Sequence, residues 1–293
     1  MDNMTGKYSI KDLESLTGIK AHTLRIWEQR YAILQPERTD TNIRLYSNED
    51  LKRILNVSAL NKSGKKISKI AHLSGQQIHE EVKKLNIQPD DTNGIIDKLI
   101  IAMVDLDEEG FSRVISMNSL HHGFEKTVTE IIFPFLGKIG VMWQTDAINP
   151  AQEHFVSNII RQKLISAIDR LKGLSEGGDK ILFFLPEGEL HEISLLFYTY
   201  QAKASGYTVI YLGQSVPMAD LKKIDSIAGV KMAVTVITQP LIKTSLQTYC
   251  KELASIFTGK KVLISGAQFI KSKIKLPQNL ILFKETNEFI QLI

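Results

Sequence analysis

After residue 178 the sequence alternates between short apolar runs and longer amphipathic segments. Five runs have the length and composition of buried strands, and they read KILFFLP, TVIYLG, KMAVTVI, KVLIS and NLILF. Segments of helical period, such as HEISLLFYTYQAKA and PMADLKKIDSIA, separate most of them. This alternation is typical of a parallel sheet covered by helices, because parallel strands need a long crossover that a helix provides. We therefore predict an α/β domain over residues 179–293.

Residues that suit a ligand-binding site follow the strands of this domain. His191 comes after the first strand, between the carboxylates of Glu189 and Glu192, whereas Thr235 ends the third strand and Gly266 the fourth. In a doubly wound parallel sheet of flavodoxin-like order, ligands bind beyond the carboxyl ends of the first and third strands. We expect these residues to share one rim, where the missing side chain of Gly266 lets a ligand approach closely.

Four segments of helical period precede the sheet domain, and they favour a four-helix bundle over residues 94–175. The fourth segment, NPAQEHFVSNIIRQKLISAIDRLKG, has a well-defined start. Asn149 is its N-cap, Pro150 takes the first helical position, and Gln152 completes a capping box. The polar stretch 85–94, with its proline and glycine, predicts a linker before the bundle.

The N-terminal residues form a third, basic domain, which we place at 1–84. The first 75 residues contain 13 Lys and Arg against 8 Asp and Glu, whereas the whole chain has a net charge of +4. YSIKDLESLTGI and KAHTLRIWEQRY have the spacing of a helix-turn-helix, with Gly18 ending the first helix. A polar hairpin, LQPERTDTNIRLYS, follows as a wing, so this domain suits a phosphate-bearing partner.

The composition of the chain favours a globular protein of several domains, since 293 residues with 43% apolar content bury a large core. The single cysteine, Cys250, excludes an internal disulfide and a multi-cysteine zinc site, and we expect it in the core. No apolar run approaches the ~18 residues that span a bilayer, and the N-terminus lacks a signal-peptide pattern. We expect a cytoplasmic protein that does not bind membranes.

The order TLRIWEQRY … RTDTNIRLYS resembles the DNA-binding domain of MerR-type transcriptional regulators. The resemblance covers about residues 6–80 and implies a winged helix-turn-helix whose second helix enters the major groove of double-stranded operator DNA. It implies contacts from the recognition helix and from the wing, while Trp27 belongs to the core. The implied DNA-binding residues are Thr23, Arg25 and Arg30 in the helix, and Arg38, Arg44 and Tyr46 in the wing.

The sheet domain resembles the cobalamin-binding domains of corrinoid-dependent methyltransferases and mutases. ELHEIS matches their Asp/Glu-x-His-x-x-Gly turn with Ser194 in the glycine position, TVI stands for Ser-x-Leu, and GA stands for Gly-Gly. The resemblance implies that His191 is the lower axial ligand of cobalt and that Glu189 bonds the other ring nitrogen. It also implies cofactor contacts from Thr235, Gly266 and Ala267.

Over its whole length the chain resembles the cobalamin-dependent, light-responsive repressors of carotenoid synthesis. Their bundle carries a tryptophan, nine residues, then Glu-His, and this chain has Trp143 followed by Glu153 and His154 at that spacing. These residues are implied to lie over the upper face of the corrin, around the adenosyl group of adenosylcobalamin. Photoreceptor members have a histidine directly after this tryptophan, whereas this chain has Gln144, and an amide is a poor cobalt ligand.

The sequence thus predicts a multidomain α and α/β protein with a winged helix-turn-helix, a four-helix bundle and a doubly wound sheet. We interpret it as a transcriptional regulator and not as an enzyme. We expect it to assemble into a homo-oligomer, either a dimer or a tetramer, and we expect adenosylcobalamin and light to control both this assembly and the binding of operator DNA. Two alternatives remain open at this point. One is a regulator of the same fold with a vestigial pocket, and the other is the corrinoid protein of a methyltransfer system. Without the histidine at Gln144, His154 or water takes the upper cobalt position, or the response is to cobalamin alone.

Overall fold

The structure is a computed structural model, and it describes residues 7–85, 91–144, 148–171, 179–270 and 272–293. The chain folds into two compact units, Met1–Ile159 and Ile160–Ile293. The three domains predicted at 1–84, 94–175 and 179–293 stay a prediction as far as their boundaries are concerned. Among the described residues, no helix has the length and apolar content needed to cross a membrane.

The first unit begins with a winged helix-turn-helix, as the sequence predicts. Helices α1 (Ile10–Thr17) and α2 (Ala21–Tyr31) form the helix-turn-helix, and strands β1 (Glu37–Arg38) and β2 (Arg44–Leu45) pair antiparallel as the wing. The remaining helices of this head are α3 (Asn48–Lys62), α4 (Ile67–Ile70) and α5 (Gly75–Lys84).

Local capping explains where the helices of the head begin and end. Ser9 and Asp12 form a reciprocal capping box at the start of α1, and Gly18 ends it in the left-handed conformation at φ +72°. Ser47 and Asp50 cap α3 in the same way. These caps satisfy backbone N–H groups that have no partner within the helix, and they set the angles at which the chain enters each helix.

Four helical segments follow, as predicted: α6 (Thr92–Val104), α7 (Glu108–His122), a composite third segment, and α10 (Pro150–Arg170). Helix α10 begins as the sequence predicts, with the Asn149 side chain accepting from the Ala151 N–H at 2.8 Å and Gln152 accepting from the Asn149 N–H at 3.2 Å. The buried rings of Phe111 and Phe135 meet edge to face with centroids 5.4 Å apart.

The third segment consists of α8 (Phe124–Thr127), a π-helical stretch over Val128–Ile132, and α9 (Phe133–Gln144). Pro134 explains the interruption, which the sequence prediction of one continuous helix did not include. Proline has no N–H to donate to the carbonyl four residues earlier, and its ring clashes with that carbonyl, which belongs to Glu130. The helix accommodates Pro134 by widening to π geometry in the turn before this residue, over Val128–Ile132.

A buried carboxylate joins the head to the bundle within the first unit. Asp97 on α6 is 5% exposed, and its oxygens lie 3.8 Å from Nζ of Lys62 and 3.9 Å from Nζ of Lys138. Lys138 on α9 also donates to the backbone carbonyl of Leu16 in α1 at 3.4 Å. Burial raises the pKa of Asp97 to about 6, although the two lysines oppose the shift. The charged form of Asp97 is therefore only partly compensated.

The second unit contains a five-stranded parallel sheet in the order β4-β3-β5-β6-β7, which is the flavodoxin-like order. Five helices accompany the sheet, and Cys250 on the third of them is buried in its core. The strands are β3 (Lys180–Pro186), β4 (Thr208–Val216), β5 (Met232–Val236), β6 (Lys261–Ser265) and β7 (Leu280–Leu282). The helices are α11 (Ile193–Ala204), α12 (Met218–Ala228), α13 (Leu246–Ile256), α14 (Ala267–Ile270) and α15 (Thr286–Leu292).

The chain leaves β3 toward β4 on one side, whereas β5 pairs on the other side, so the strand order reverses at β3. Gly266 follows β6 on the same rim, with φ +115°. A Cβ at this position would lie 2.3 Å from the carbonyl oxygen of Ile237 and 2.6 Å from its carbonyl carbon. Backbone atoms of the chain itself therefore fill the space beside Gly266. This close contact is sufficient to explain why the position needs glycine.

We expect the Asp97→Asn substitution to remove a pH dependence of stability. The folded-state pKa of about 6 exceeds the ordinary value of 3.8, so the stabilisation from protonated Asp97 is present below about pH 4 and is lost as the pH rises through 6. Urea unfolding of both proteins should show the Asn variant gaining about 2 to 3 kcal/mol relative to wild type between pH 4 and 7. Parallel stability profiles would contradict this account.

The Gly266→Ala substitution is expected to destabilise the second unit because the new methyl group meets the Ile237 backbone. Gly206→Ala is a matched control, since Gly206 has φ +88° and open space around it. The control should cost about 1 kcal/mol in backbone strain, and Gly266→Ala about 1 to 3 kcal/mol more, in the free energy of unfolding measured with urea. Equal losses for the two variants would mean that the close contact is easily relieved.

Candidate functional site

The loop after β3 carries Glu189 and His191, and the last residues of β4 hold this loop in place. The Gly188 N–H donates to Oγ of Ser215 at 3.1 Å, and the side-chain amide of Gln214 donates to the carbonyl of Leu190 at 2.6 Å. Gly188 has φ +84°, which glycine adopts without strain. The glycine of the turn and the hydrogen bonds from the neighbouring strand therefore fix the path of the backbone at His191.

Glu189 is 4% exposed and organises this loop through four hydrogen bonds. One oxygen accepts from the His191 N–H at 3.0 Å and from His191 Nδ1 at 2.6 Å. The other accepts from the N–H groups of Thr238 at 2.7 Å and Gln239 at 2.9 Å, both in the loop after β5. Burial alone would raise the pKa of Glu189, but these hydrogen bonds outweigh it and lower the pKa to about 2.

The Glu189 contact assigns the protons of His191. A permanently ionised carboxylate at Nδ1 requires that this nitrogen carry the proton, so the neutral ring presents a lone pair at Nε2. The His191 side chain is 49% exposed, and Nε2 lies 3.5 Å from the side-chain nitrogen of Gln239. The ring is therefore a half-exposed nitrogen donor whose direction and tautomer are set by buried groups.

The other predicted cofactor residues of the second unit lie at the carboxyl ends of β5 and β6. Thr235 is fully buried, and its hydroxyl has no hydrogen-bond partner among the described residues. A buried hydroxyl without a partner costs free energy, which a bound polar ligand relieves. Ala267 is exposed at the start of α14, and Gly266 lies against Ile237 as described above.

The structure adds three residues that were not predicted as site residues. Glu192, which directly follows His191, is 4% exposed and accepts a close hydrogen bond from Nε of Arg161. Its second oxygen accepts from the hydroxyl of Tyr211 at 2.6 Å. The Glu-x-His-Glu spacing marks Glu192 as a neighbour of the histidine, but no sequence signal connects it with Arg161, 31 positions earlier, or with Tyr211.

The residues predicted above the corrin belong to the first unit. Trp143 and Gln144 end helix α9, and their side chains lie outside the part of the chain that the structure describes. Glu153 accepts from the Ser157 hydroxyl at 3.0 Å and lies 3.6 Å from Nδ1 of His154. The His154 ring is 74% exposed, so the first turn of α10 offers a carboxylate and an accessible imidazole.

The predicted DNA-binding residues occupy one helix and the wing of the head. Arg25 and Arg30 are exposed on α2, Thr23 is half-buried, and Arg38 bonds Asn42 at 2.5 Å in the wing. Arg44 donates to Glu28 at 3.0 Å and is 24% exposed.

Tyr46 is buried at 1% exposure, and its hydroxyl donates to the other oxygen of Glu28 at 2.9 Å. Glu28 lies on α2, whereas Arg44 and Tyr46 lie in and beside the wing. Tyr46 thus lies behind the surface and fixes the carboxylate that orients Arg44.

Within the described ranges, no group of three or more His, Cys, Asp or Glu side chains is arranged to hold a metal ion. Cobalamin would bring its own ring nitrogens to cobalt, and His191 would supply one further nitrogen donor through Nε2. The oriented ring of His191 and the buried hydroxyl of Thr235, which has no hydrogen-bond partner among the described residues, fit such a group.

Comparisons with known proteins find two family models that match separate parts of the chain. Residues 8–77 match the model of the MerR HTH family regulatory protein, and residues 95–166 match that of the B12 binding domain. The HTH-type transcriptional repressor CarH of Myxococcus xanthus is 29% identical over 73% of this chain and 73% of its own length. The repressor CarA of the same organism is 25% identical over 73% of this chain and 70% of its own length.

A solved structure supports the fold of the bundle and sheet. The monomethylamine corrinoid protein of Methanosarcina barkeri superimposes with a TM-score of 0.53 and 19% identity, over 68% of this chain and 96% of that one. The chain therefore carries a MerR HTH regulatory domain followed by a B12 binding domain, and it is homologous to the repressors CarH and CarA.

Proposed function

We propose that the protein is a transcriptional repressor whose operator binding is controlled by adenosylcobalamin. The observation that carries this proposal is the Glu189–His191 pair, in which a buried carboxylate bonds Nδ1 and orients Nε2 of a half-exposed ring as the nitrogen that would bind a metal. The homologous repressors CarH and CarA support the regulatory half of the proposal. A protein that binds operator DNA must share a compartment with that DNA, and we therefore propose that this regulator acts in the cytoplasm.

The DNA-binding surface consists of α2 and the wing. Arg25 and Arg30 are exposed on α2 and suit contacts in the major groove, while Thr23 adds a short polar side chain beside them. Arg38 and Arg44 suit phosphate contacts from the wing, and Glu28 with Tyr46 holds Arg44 in position. One such head covers a single half-site, so a homo-oligomer, a dimer or a tetramer, provides tight binding by joining several heads.

In this proposal His191, oriented by Glu189, would hold the cofactor, and Thr235, Gly266 and Ala267 would supply further contacts. The resemblance to the cobalamin-dependent repressors assigns Trp143, Glu153 and His154 to the adenosyl group, for which an aromatic ring and a carboxylate acceptor are suitable residue types. Adenosylcobalamin, when bound, supplies a cobalt–carbon bond that light breaks. Binding that depends on the upper group shifts the oligomer, and with it the affinity for DNA.

Light control rests on the homology with CarH and on Trp143, whereas Gln144 replaces the histidine expected of photoreceptor members. His154 is the exposed imidazole nearest in sequence and is our candidate for the upper position after illumination. Absorption spectra of the protein with adenosylcobalamin in the dark and after illumination test this assignment. The alternative of a methyltransfer corrinoid protein predicts methyl transfer to a thiol or to tetrahydrofolate, which we do not expect.

Arg25→Ala and Arg30→Ala should weaken binding to a specific operator by about 1 to 3 kcal/mol, because each removes a positively charged contact in the groove. Fluorescence anisotropy with operator duplex measures the effect, with Lys126→Ala on α8 as a charge-matched control outside the head. Wild-type affinity should also fall steeply with salt. Equal wild-type affinity for operator and random duplex would refute a sequence-specific regulator.

His191→Ala should abolish histidine ligation in the spectrum of bound cobalamin and ligand-dependent assembly, because it removes the imidazole that we propose as the cobalt ligand. Glu189→Gln should weaken cobalamin binding about 10- to 100-fold, since an amide does not fix the tautomer as a carboxylate does. His121→Ala, on α7, is the control and should bind normally. Unchanged affinity and spectrum in His191→Ala would favour the vestigial pocket.

A further inference from the structure

Glu192 occupies the N-cap position of α11, yet its side chain makes no capping hydrogen bond. Acidic residues at this position usually accept from the first free N–H groups of the helix. Here the carboxylate turns away and is 5% exposed in its side chain, with one oxygen on Arg161 and the other on Tyr211. The buried carboxylate therefore bonds two residues that are distant in sequence and does not cap the helix.

The three side chains form a complete charge-assisted cluster. A buried carboxylate is costly without compensation, and here a guanidinium and a phenol supply it. Burial and the hydrogen bond to Glu192 raise the pKa of Tyr211, so its hydroxyl keeps the proton that it donates. The hydrogen bond to Glu192 raises the pKa of Arg161 as well. A single buried carboxylate thus bonds both a guanidinium and a phenol.

We infer that Glu192 is a positioning residue for the cobalt ligand, clamped by Arg161 and Tyr211. His191 lies between two buried carboxylates: Glu189 fixes its ring, and Glu192 fixes the next residue of the backbone. A ligand held on both sides loses little freedom on binding the metal, which raises the equilibrium constant for ligation. This inference rests on the proposed ligation of cobalt by His191.

The clamp also connects the ligand loop to helix α10. Arg161 lies on the helix whose first turn carries Glu153 and His154, the proposed upper-face residues. Its ion pair with Glu192 anchors the later part of that helix, within the second unit, to the residue after the lower ligand. Within the second unit, the backbone beside His191 is thus tied to Arg161 on α10.

The test compares full-length Tyr211→Phe and Glu192→Gln with wild type, each loaded with cob(II)alamin. Tyr249→Phe is the matched control, because the Tyr249 hydroxyl is buried without a hydrogen-bond partner among the described residues. Electron paramagnetic resonance reports the nitrogen ligand of cobalt through its hyperfine splitting. A titration with acid then gives the pH at which half of the cobalt loses the histidine.

We expect both clamp variants to weaken histidine ligation about tenfold, which raises this midpoint by about one pH unit. Tyr249→Phe should match wild type, and urea unfolding of Tyr211→Phe should establish that it is folded. Wild-type midpoints in both clamp variants would overturn the clamp while leaving the proposed function intact. Absence of the nitrogen splitting in wild type itself would overturn the proposed function and this inference with it.

Discussion

The ionised carboxylate of Glu189 is the interaction on which the rim of the sheet depends. It draws together the loop after β3 and the loop after β5, and it fixes Nδ1 of His191 as the ring nitrogen that donates to the carboxylate. Four donors around one buried carboxylate keep it charged well below neutral pH. The orientation of the His191 ring therefore depends on one carboxylate that is held by the backbone of two loops.

Much of the fold follows from the sequence because its signals are local. Alternating apolar runs predict the parallel sheet and its order, and caps such as Asn149 predict where helices begin. Interactions between distant positions are different, since no pattern connects Arg161 with Glu192. Similarly, the glycine at 266 is predicted to admit a ligand, whereas the structure fills that space with the backbone of Ile237.

The two units treat uncompensated polar groups differently. In the second unit Glu189 and Glu192 accept hydrogen bonds on both of their oxygens, whereas the buried hydroxyl of Thr235 has no partner among the described residues. In the first unit Asp97 carries a partly compensated charge between the head and the bundle. A buried polar group without full compensation costs free energy, so a ligand that bonds Thr235, or a proton that neutralises Asp97, stabilises the fold.

The polar junction between head and bundle bears on how the affinity for DNA depends on salt. Lys52 on α3 pairs with the half-exposed Asp105 just beyond α6 at 2.8 Å, in addition to the Asp97 cluster. Salt screens exposed pairs of this kind just as it screens contacts between lysine and phosphate. Added salt therefore lowers the affinity for DNA in two ways: it weakens the attachment of the head to the bundle, and it reduces the gain from releasing counterions from DNA. The slope of affinity against salt concentration then overstates the number of phosphates that the protein contacts.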